Sequence, residues 1–388
     1  MNISVIIPTL GFPETVKKLF LSLENQILAP SEIIIIDSSG DDEIFKLVTN
    51  FQPQLLIKYF KVDNFFPGAA RNFGIKNSTG EVIAILDSKT IPAKDWLSKS
   101  MDIILNKGYD ISYGSTCYIA HTAFQKILQA CLYGKKPVET SPGSVFLRAK
   151  LSQIGFFLEG TRTADDLEWR ESMKRNKIKS FTHKKCMQSY ENISTNFLQE
   201  MKRSFIYQMH AANLEVQLRA RTVILGASLV LLTLLIPQWN QFAGGIFFIP
   251  NITKSFFYFL SVFGIMLLVV SRNLPQSERN IRFKILIAPI FILLTYFVYQ
   301  WNEVVANWVE ESIYYIPHIT KTYILLLIFL DVVYRGIYIP ITKGISFKYI
   351  FPAYWIVIGM IGALLDIAKI PGYLLGALSS LVRLGRLK

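Results

Sequence analysis

The 388-residue sequence is poor in residues that bind metals or form bridges, with three cysteines, Cys117, Cys131 and Cys186, and four histidines. No two cysteines lie close together, so neither a zinc site nor a disulfide framework is indicated, and free thiols fit a reducing compartment. The N-terminus, MNISVIIPTL, lacks a basic n-region and its apolar run breaks at Pro8. It reads as a strand, not a signal peptide, which keeps the first domain in the cytosol. No platform of interleaved aromatic and basic residues accompanies the net charge of +13, and a nucleic-acid partner is disfavoured.

What the chain has in excess is apolar surface: 51% of residues are hydrophobic and 13% aromatic, more than one soluble core usually hides. The excess is uneven. Up to about Arg221 the sequence mixes charges, turns and short apolar runs; beyond it long apolar stretches dominate. Val223 to Trp239, Phe256 to Val270, Ile285 to Trp301 and Tyr323 to Ile339 are candidate membrane spans, with a fifth at Phe351 to Leu365. The basic loop SRNLPQSERNIRFK belongs inside and the acidic WNEVVANWVEESIYYIPH outside. Asp331 and Arg335, four apart on the fourth span, read as a structural ion pair. The tail with Arg383, Arg386 and Lys388 reads as a basic segment on the membrane surface.

The first half alternates strands and helices. Ile3 to Leu10, Ile33 to Ile36, Leu55 to Phe60 and Val82 to Leu86 are strands apolar throughout, while Val16, Leu19, Phe20 and Leu23 recur at helical spacing. Such strands predict an α/β fold with a mostly parallel sheet covered on both faces. Ligands of these sheets bind at the carboxyl ends of strands, where Thr9, Asp37 and Asp87 lie. The basic, amphipathic stretch from MKRSF to QLRAR suits an interfacial helix whose Lys and Arg meet anionic headgroups.

One stretch is more specific. DNFFPGAARNFGIKNSTGEVIAILDSK, Asp63 to Lys89, resembles the central segment of family 2 glycosyltransferases through Gly68, Ala70, Arg71, Asn72, Gly74, Gly80, Glu81 and Asp87. SVIIPTL and IIIIDSSGDD are similar to the family's first strand and nucleotide-binding turn, and the segment from Gly143 to Trp169 to its later acidic segment. The resemblance covers about residues 1 to 190. It implies a GT-A fold and inverting transfer of one sugar from a nucleotide sugar to an acceptor hydroxyl. It assigns Asp166 as base and Asp165 as an orienting group, with Glu168 as an outside candidate. Pro8, Thr9, Asp37, Arg71, Asp87 and Lys89 become donor contacts.

The sequence departs from the family at Asp87-Ser88-Lys89, where the second acid of an Asp-x-Asp motif usually helps hold a divalent ion. Three readings follow: Lys89 replaces the magnesium or manganese, Asp87 holds it with waters and phosphate oxygens, or activity is lost. The Gln-x-x-Arg-Trp motif of the processive synthases is absent. The expected organisation is a GT-A domain over 1–195, an amphipathic interfacial linker over 196–221, and a helical transmembrane domain over 222–388 with four to five spans. This layout looks like inner-membrane, multi-pass enzymes with a cytoplasmic catalytic domain that act on lipid or lipid-linked saccharides. The alternatives are a polyprenyl-phosphate glycosyltransferase and a degenerate, donor-binding scaffold.

Overall fold

The computed structural model describes residues 1–51, 55–212 and 328–385. Four apolar runs become parallel strands: β1 (Ile3–Thr9), β2 (Glu32–Asp37), β3 (Ile57–Lys61) and β4 (Val82–Ile85), ordered β3-β2-β1-β4. Helices cross between them: α1 (Pro13–Glu24), α2 (Glu43–Asn50) and α3 (Pro67–Asn77). Because side chains alternate across a strand, neighbouring residues serve opposite cores. Val5, Ile7, Ile33 and Ile35 pack with Val16, Leu19, Phe20 and Leu23 of α1. Ile6, Ile34, Ile36, Ile83 and Ile85 pack on the other face with Ala70 and Ile75 of α3. Gly74 lets α3 approach that face, since a Cβ there would lie 2.4 Å from Ile6 Cγ2.

The sheet continues beyond the four strands foreseen. It adds β5 (Thr90–Pro92), β6 (Ile111–Tyr118), β7 (Val138–Leu147), β8 (Ser180–Thr182) and β9 (Gln188–Tyr190), with β7 antiparallel to β4 and β6 antiparallel to β7. The intervening helices are α4 (Trp96–Leu105), α5 (Ala123–Leu128), α6 (Leu151–Ile154) and α7 (Asp165–Arg175). Trp96 and Leu97 extend the first core; Trp169 and Met173 extend the second. The fold is α/β, with its parallel half extended by an antiparallel one.

The cysteines correct the sequence reading. Cys117 on β6 and Cys186 form a disulfide, with Cα atoms 5.6 Å apart. Their separation of 69 residues conceals a neighbourhood created by the parallel pairing of β6 with β9, in which Cys117 stands opposite Ser189. Cys131 is free and buried. Cysteine usage therefore supplies no argument for a reducing compartment.

Helix α8 (Phe197–Ala211) falls in the stretch expected to lie at an interface. The first three expected spans lie outside the described residues, and the fourth enters them only at residue 328. After it come α9 (Ile339–Thr342), α10 (Phe347–Ile350) and α11 (Tyr354–Gly385). Among the described residues one stretch, Tyr354–Tyr373 of α11, is long and apolar enough to cross a membrane. The chain divides into two compact units, 1–216 with 332–388, and 217–331. Within the first, Ile345, Ile350, Ile358 and Leu365 share a core with Leu128 of α5 and Cys131. Arg335 reaches across to Asp366 of α11, which also takes Lys369 at 2.6 Å. Small residues bring α11 onto α8: a Cβ on Gly372 would fall 2.3 Å from the Phe205 carbonyl oxygen, and one on Gly376 2.2 Å from that of Met209.

At the opposite edge of the sheet from the strand ends, Glu32 is buried and joins β1, β2 and β3. It accepts from Ser4 Oγ at 2.6 Å and from the Thr79 backbone N–H at 2.6 Å, and pairs with Lys58 at 2.6 Å. Burial alone would raise its pKa, but Lys58, Ser4 and Thr79 together hold it down at about 2. A depressed carboxylate stabilises the fold above its unfolded pKa, and that contribution is lost as pH falls through the folded value. Glu32→Gln is therefore expected to cost roughly 3 kcal/mol near neutral pH. In urea unfolding, the gap between variant and wild type should close as pH falls from about 4.5 to about 2.

Candidate active site

Strands β2, β1 and β4 are adjacent and parallel, so their carboxyl ends share one edge of the sheet. Thr9 and Asp37 stand opposite each other in register, as do Pro8 and Ile36. Asp37 is fully buried, accepting the Ser39 backbone N–H at 2.9 Å on one oxygen and the Tyr59 hydroxyl at 2.8 Å on the other. Those bonds fix the turn after β2. Burial, then the neighbouring Asp37, push the Tyr59 phenol well above its ordinary value. Thr9 Oγ1 donates to the Gly11 carbonyl at 2.8 Å, which shapes the turn into α1.

Asp87 follows β4, and its partner explains much of the motif that precedes it. Helix α3 opens with Pro67, whose fixed φ suits a first helical position. One turn on, Arg71 is buried and both ends of its guanidinium meet acids: Nη2 donates to Asp87 Oδ1 at 3.0 Å, and Nη1 to Asp165 Oδ2. The guanidinium also lies 5.1 Å from the centroid of the Phe157 ring. The next residue, Asn72, donates to the Phe157 carbonyl at 2.9 Å and accepts the Phe157 N–H at 2.9 Å. Gly68 leaves room for the same loop, since a Cβ there would fall 2.1 Å from the Leu158 carbonyl oxygen. Arg71 is committed to two carboxylates and joins the end of β4 to the start of α7.

Asp165 is buried at that helix start, and burial pushes its carboxyl up to about 6; Arg71 works against this while Asp166 and Asp87 add to it. The first turn of α7 carries Asp165, Asp166 and Glu168 and its last turn Lys174 and Arg175, as the helix dipole favours. Glu168 is taken by Arg175 at 2.6 Å. Asp166, partly exposed, accepts no hydrogen bond from any described residue, and it lies close enough to Arg71 to act on its charge. Of the three acids, Asp166 is the one with neither a hydrogen-bond donor nor an ion pair among the described residues.

The turn Asp87-Ser88-Lys89 is closed by Thr90, whose N–H and hydroxyl both donate to the Asp87 carbonyl, at 3.0 and 2.8 Å. Lys89 Nζ sits 3.9 Å from the centroid of the Phe12 ring. Phe12 presents that ring from a left-handed backbone conformation, φ 68°, just before Pro13 opens α1. Burial lowers the Lys89 pKa, Arg203 and Arg162 press the same way, and Asp87 opposes them. These residues do not fit a protein-held divalent cation: Asp87 has one oxygen on Arg71, Lys89 supplies positive charge where a second acid would be needed, and no group of three or more His, Cys, Asp or Glu that could hold a metal occurs among the described residues.

Sequence reasoning missed Phe12, Arg162 and Arg203 as neighbours of the turn. For Phe12 the only signal was a bulky residue in a Gly-Phe-Pro corner. Arg203 lay in the stretch assigned to lipid headgroups; its spacing of three from the buried Glu200 was the signal of an inward face.

Residues 4–155 match the model of the family "Glycosyl transferase family 2". A protein of Rickettsia felis named as an uncharacterized glycosyltransferase is 34% identical over 32% of this chain and 20% of its own length. A Campylobacter jejuni protein named GalNAc(5)-diNAcBac-PP-undecaprenol beta-1,3-glucosyltransferase is 31% identical over 29% of this chain and 38% of its own. The chain thus matches only a minor part of these relatives. Among solved structures, Staphylococcus aureus TarS residues 1–349 in complex with UDP-GlcNAc is similar at 17% identity and a TM-score of 0.42, over 78% of this chain and 91% of that one. The strand-end acids Asp37 and Asp87 and the guanidinium of Arg71 fall on the matched stretch, Asp165 lies just beyond it, and residues 4–155 match a family 2 glycosyltransferase domain.

Proposed function

We propose that the chain is an inverting glycosyltransferase that moves one sugar from a nucleotide-sugar donor to a hydroxyl of a lipid or lipid-linked saccharide. The observation that carries this reading is the Arg71 fork, which holds Asp87 at the end of β4 beside the Asp165-Asp166 pair at the start of α7. The donor diphosphate would lie along the ends of β1, β2 and β4, with the nucleoside near Thr9 and Asp37 and the diphosphate near Lys89. The acceptor hydroxyl attacks the anomeric carbon on the face opposite the leaving oxygen; the new C–O bond forms as the old one breaks. Asp166 takes the hydroxyl proton, and the nucleoside diphosphate leaves with the bonding electrons. Asp165, fixed by Arg71, orients the start of α7 so that Asp166 faces the cleft.

In place of an ion bridging the phosphates, the reading gives Lys89 the task of meeting their charge. One charge pair at about 4 Å and an effective dielectric near 20 is worth roughly 4 kcal/mol, about half of what a divalent ion would supply. Two observations favour a lipid-borne acceptor: the apolar segment of α11 packs on the same unit as the cleft, and one relative is named for an undecaprenol-linked saccharide. Confinement to a bilayer would raise the local concentration of such an acceptor. We place the protein, on this reading, at the cytoplasmic face of the inner membrane.

The test is incubation of the purified protein with nucleotide sugars and lipid extracts, with and without a chelator, reading released nucleotide and labelled lipid. Asp166→Asn is expected to lower kcat by about 100-fold to 10,000-fold while donor affinity is retained, the range for loss of a general base. Unchanged turnover in that variant removes Asp166 from the mechanism. Transfer is expected to persist in EDTA and to fall sharply in Lys89→Ala. Full dependence on manganese together with an unaffected Lys89→Ala enzyme would defeat the metal-free reading.

A further inference from the structure

Helix α11 has two faces. At intervals of three and four residues Ile358, Gly362, Leu365, Gly372 and Gly376 are turned inward and buried. Ile358 and Leu365 join the core of Leu128 and Cys131, while Gly372 and Gly376 bear on the α8 backbone at Phe205 and Met209. On the opposite side Val357, Met360, Leu364, Ile367 and Leu375 recur at similar intervals and are 43 to 60% exposed. At 1.5 Å per residue this apolar stripe runs for about 27 Å.

The inward face carries features that suit a water-facing domain and not a bilayer core. Helix α8, on which α11 rests, exposes Lys202 and turns Arg203 inward to hydrogen-bond with Tyr190. Midway along α11, Asp366 pairs with both Arg335 and Lys369, and charges are costly to carry into hydrocarbon. A helix docked in this way from residue 358 to residue 376 has one side left for another surface.

Three observations point to lipid on that side. The apolar runs between Val223 and Trp301 follow Ala212 in sequence and precede Val332, and α11 touches both residues. A Cβ on Gly376 would lie 2.8 Å from Ala212 Cβ, and one on Gly359 2.3 Å from the Val332 carbonyl oxygen. Basic residues gather ahead of α11: Lys136 Nζ donates to the Thr342 carbonyl at 2.7 Å, the Lys135 N–H donates to the Lys343 carbonyl at 3.0 Å, and Lys348 is exposed on α10. From residue 328 onward the sequence has seven Lys or Arg against two acids. Exposed rings lie nearby in the chain, Phe347 stacked on Phe351 and Tyr338 on Tyr334. Amphipathic rings and lysines together suit the level of the headgroups, whereas a second copy of the chain would bring like charge against like.

We infer that α11 lies flat on an anionic bilayer surface, its exposed stripe in the boundary between headgroups and acyl chains, in place of the fifth span expected from the sequence. Its length and composition would allow a crossing. Its inward face, committed to α8 and α5, opposes one. The inference rests on the membrane placement proposed above and adds to it the surface by which this unit meets the lipid.

Spin labels on Met360→Cys, Leu364→Cys, Ile367→Cys and Leu375→Cys test this in the full chain, reconstituted into vesicles of phosphatidylethanolamine and phosphatidylglycerol. Power saturation with oxygen and with a water-soluble nickel chelate reads the depth of each label, and Lys107→Cys, on an exposed residue, supplies the value for water. All four labels are expected at one shallow depth, about 5 to 10 Å below the headgroups. A crossing helix would instead displace Met360 from Leu375 by roughly 20 Å along the bilayer normal, and that profile overturns the inference. Nickel access equal to that of the Lys107→Cys label overturns it too, as do labels shielded from both reagents and broadened by a neighbouring label, which mark a second copy. In phosphatidylcholine alone the four labels should be more open to nickel; equal access in both lipids would refute an anionic surface. Each position is read separately, so a variant that does not fold leaves the others to decide. Uniform shallow depth in a protein that turns over no nucleotide sugar would remove the proposed activity and leave the contact standing; a crossing profile in an active protein would remove the contact alone.

Discussion

A single buried guanidinium holds this site together. Arg71 brings a carboxylate from the end of a strand and another from the start of a helix 94 residues away onto one fork. Charges taken out of water are costly unless geometry and hydrogen bonding compensate, and a planar fork with an acid at each end meets that condition. The rest of the motif serves this contact: Pro67 starts the helix, Gly68 admits the Leu158 backbone, Asn72 ties down Phe157, and the Phe157 ring lies by the guanidinium. Because Asp165 is spent on Arg71, the adjacent Asp166 is left without a hydrogen-bonding partner among the described residues. A helix turn that begins with two acids thereby presents two different environments, one buried and paired and one partly exposed.

The same division of labour bears on Lys89. An ammonium above an aromatic face keeps a local attraction without a counter-ion. Arg71, by contrast, has both ends of its guanidinium on acids, so one cation joins elements while the other rests on a ring.

Much of the α/β frame was legible because β1, β2 and β4 are buried on both faces, so their residues form unbroken apolar runs. The antiparallel half was not. β5, β8 and β9 have three residues each, too few to show a period, and β7 passes through Pro142 and Gly143, which read as a turn. The Cys117–Cys186 bridge was invisible for the same reason, since it depends on pairing by one of those short strands. The resemblance marked Arg71 and Asp87 by position, yet only their geometry shows the arginine bound to the acid. Arg203 was hidden by its surroundings in sequence: a basic residue in an amphipathic stretch near apolar spans is read as facing lipid, and only Tyr190, far away in sequence, reveals that it faces inward.

The contact of Gly372 and Gly376 with the backbone of α8 gives the C-terminal helix a mechanical meaning. Two rods that touch at their main chains have little give between them at those two points, and a tilt of the C-terminal rod is handed directly to its neighbour.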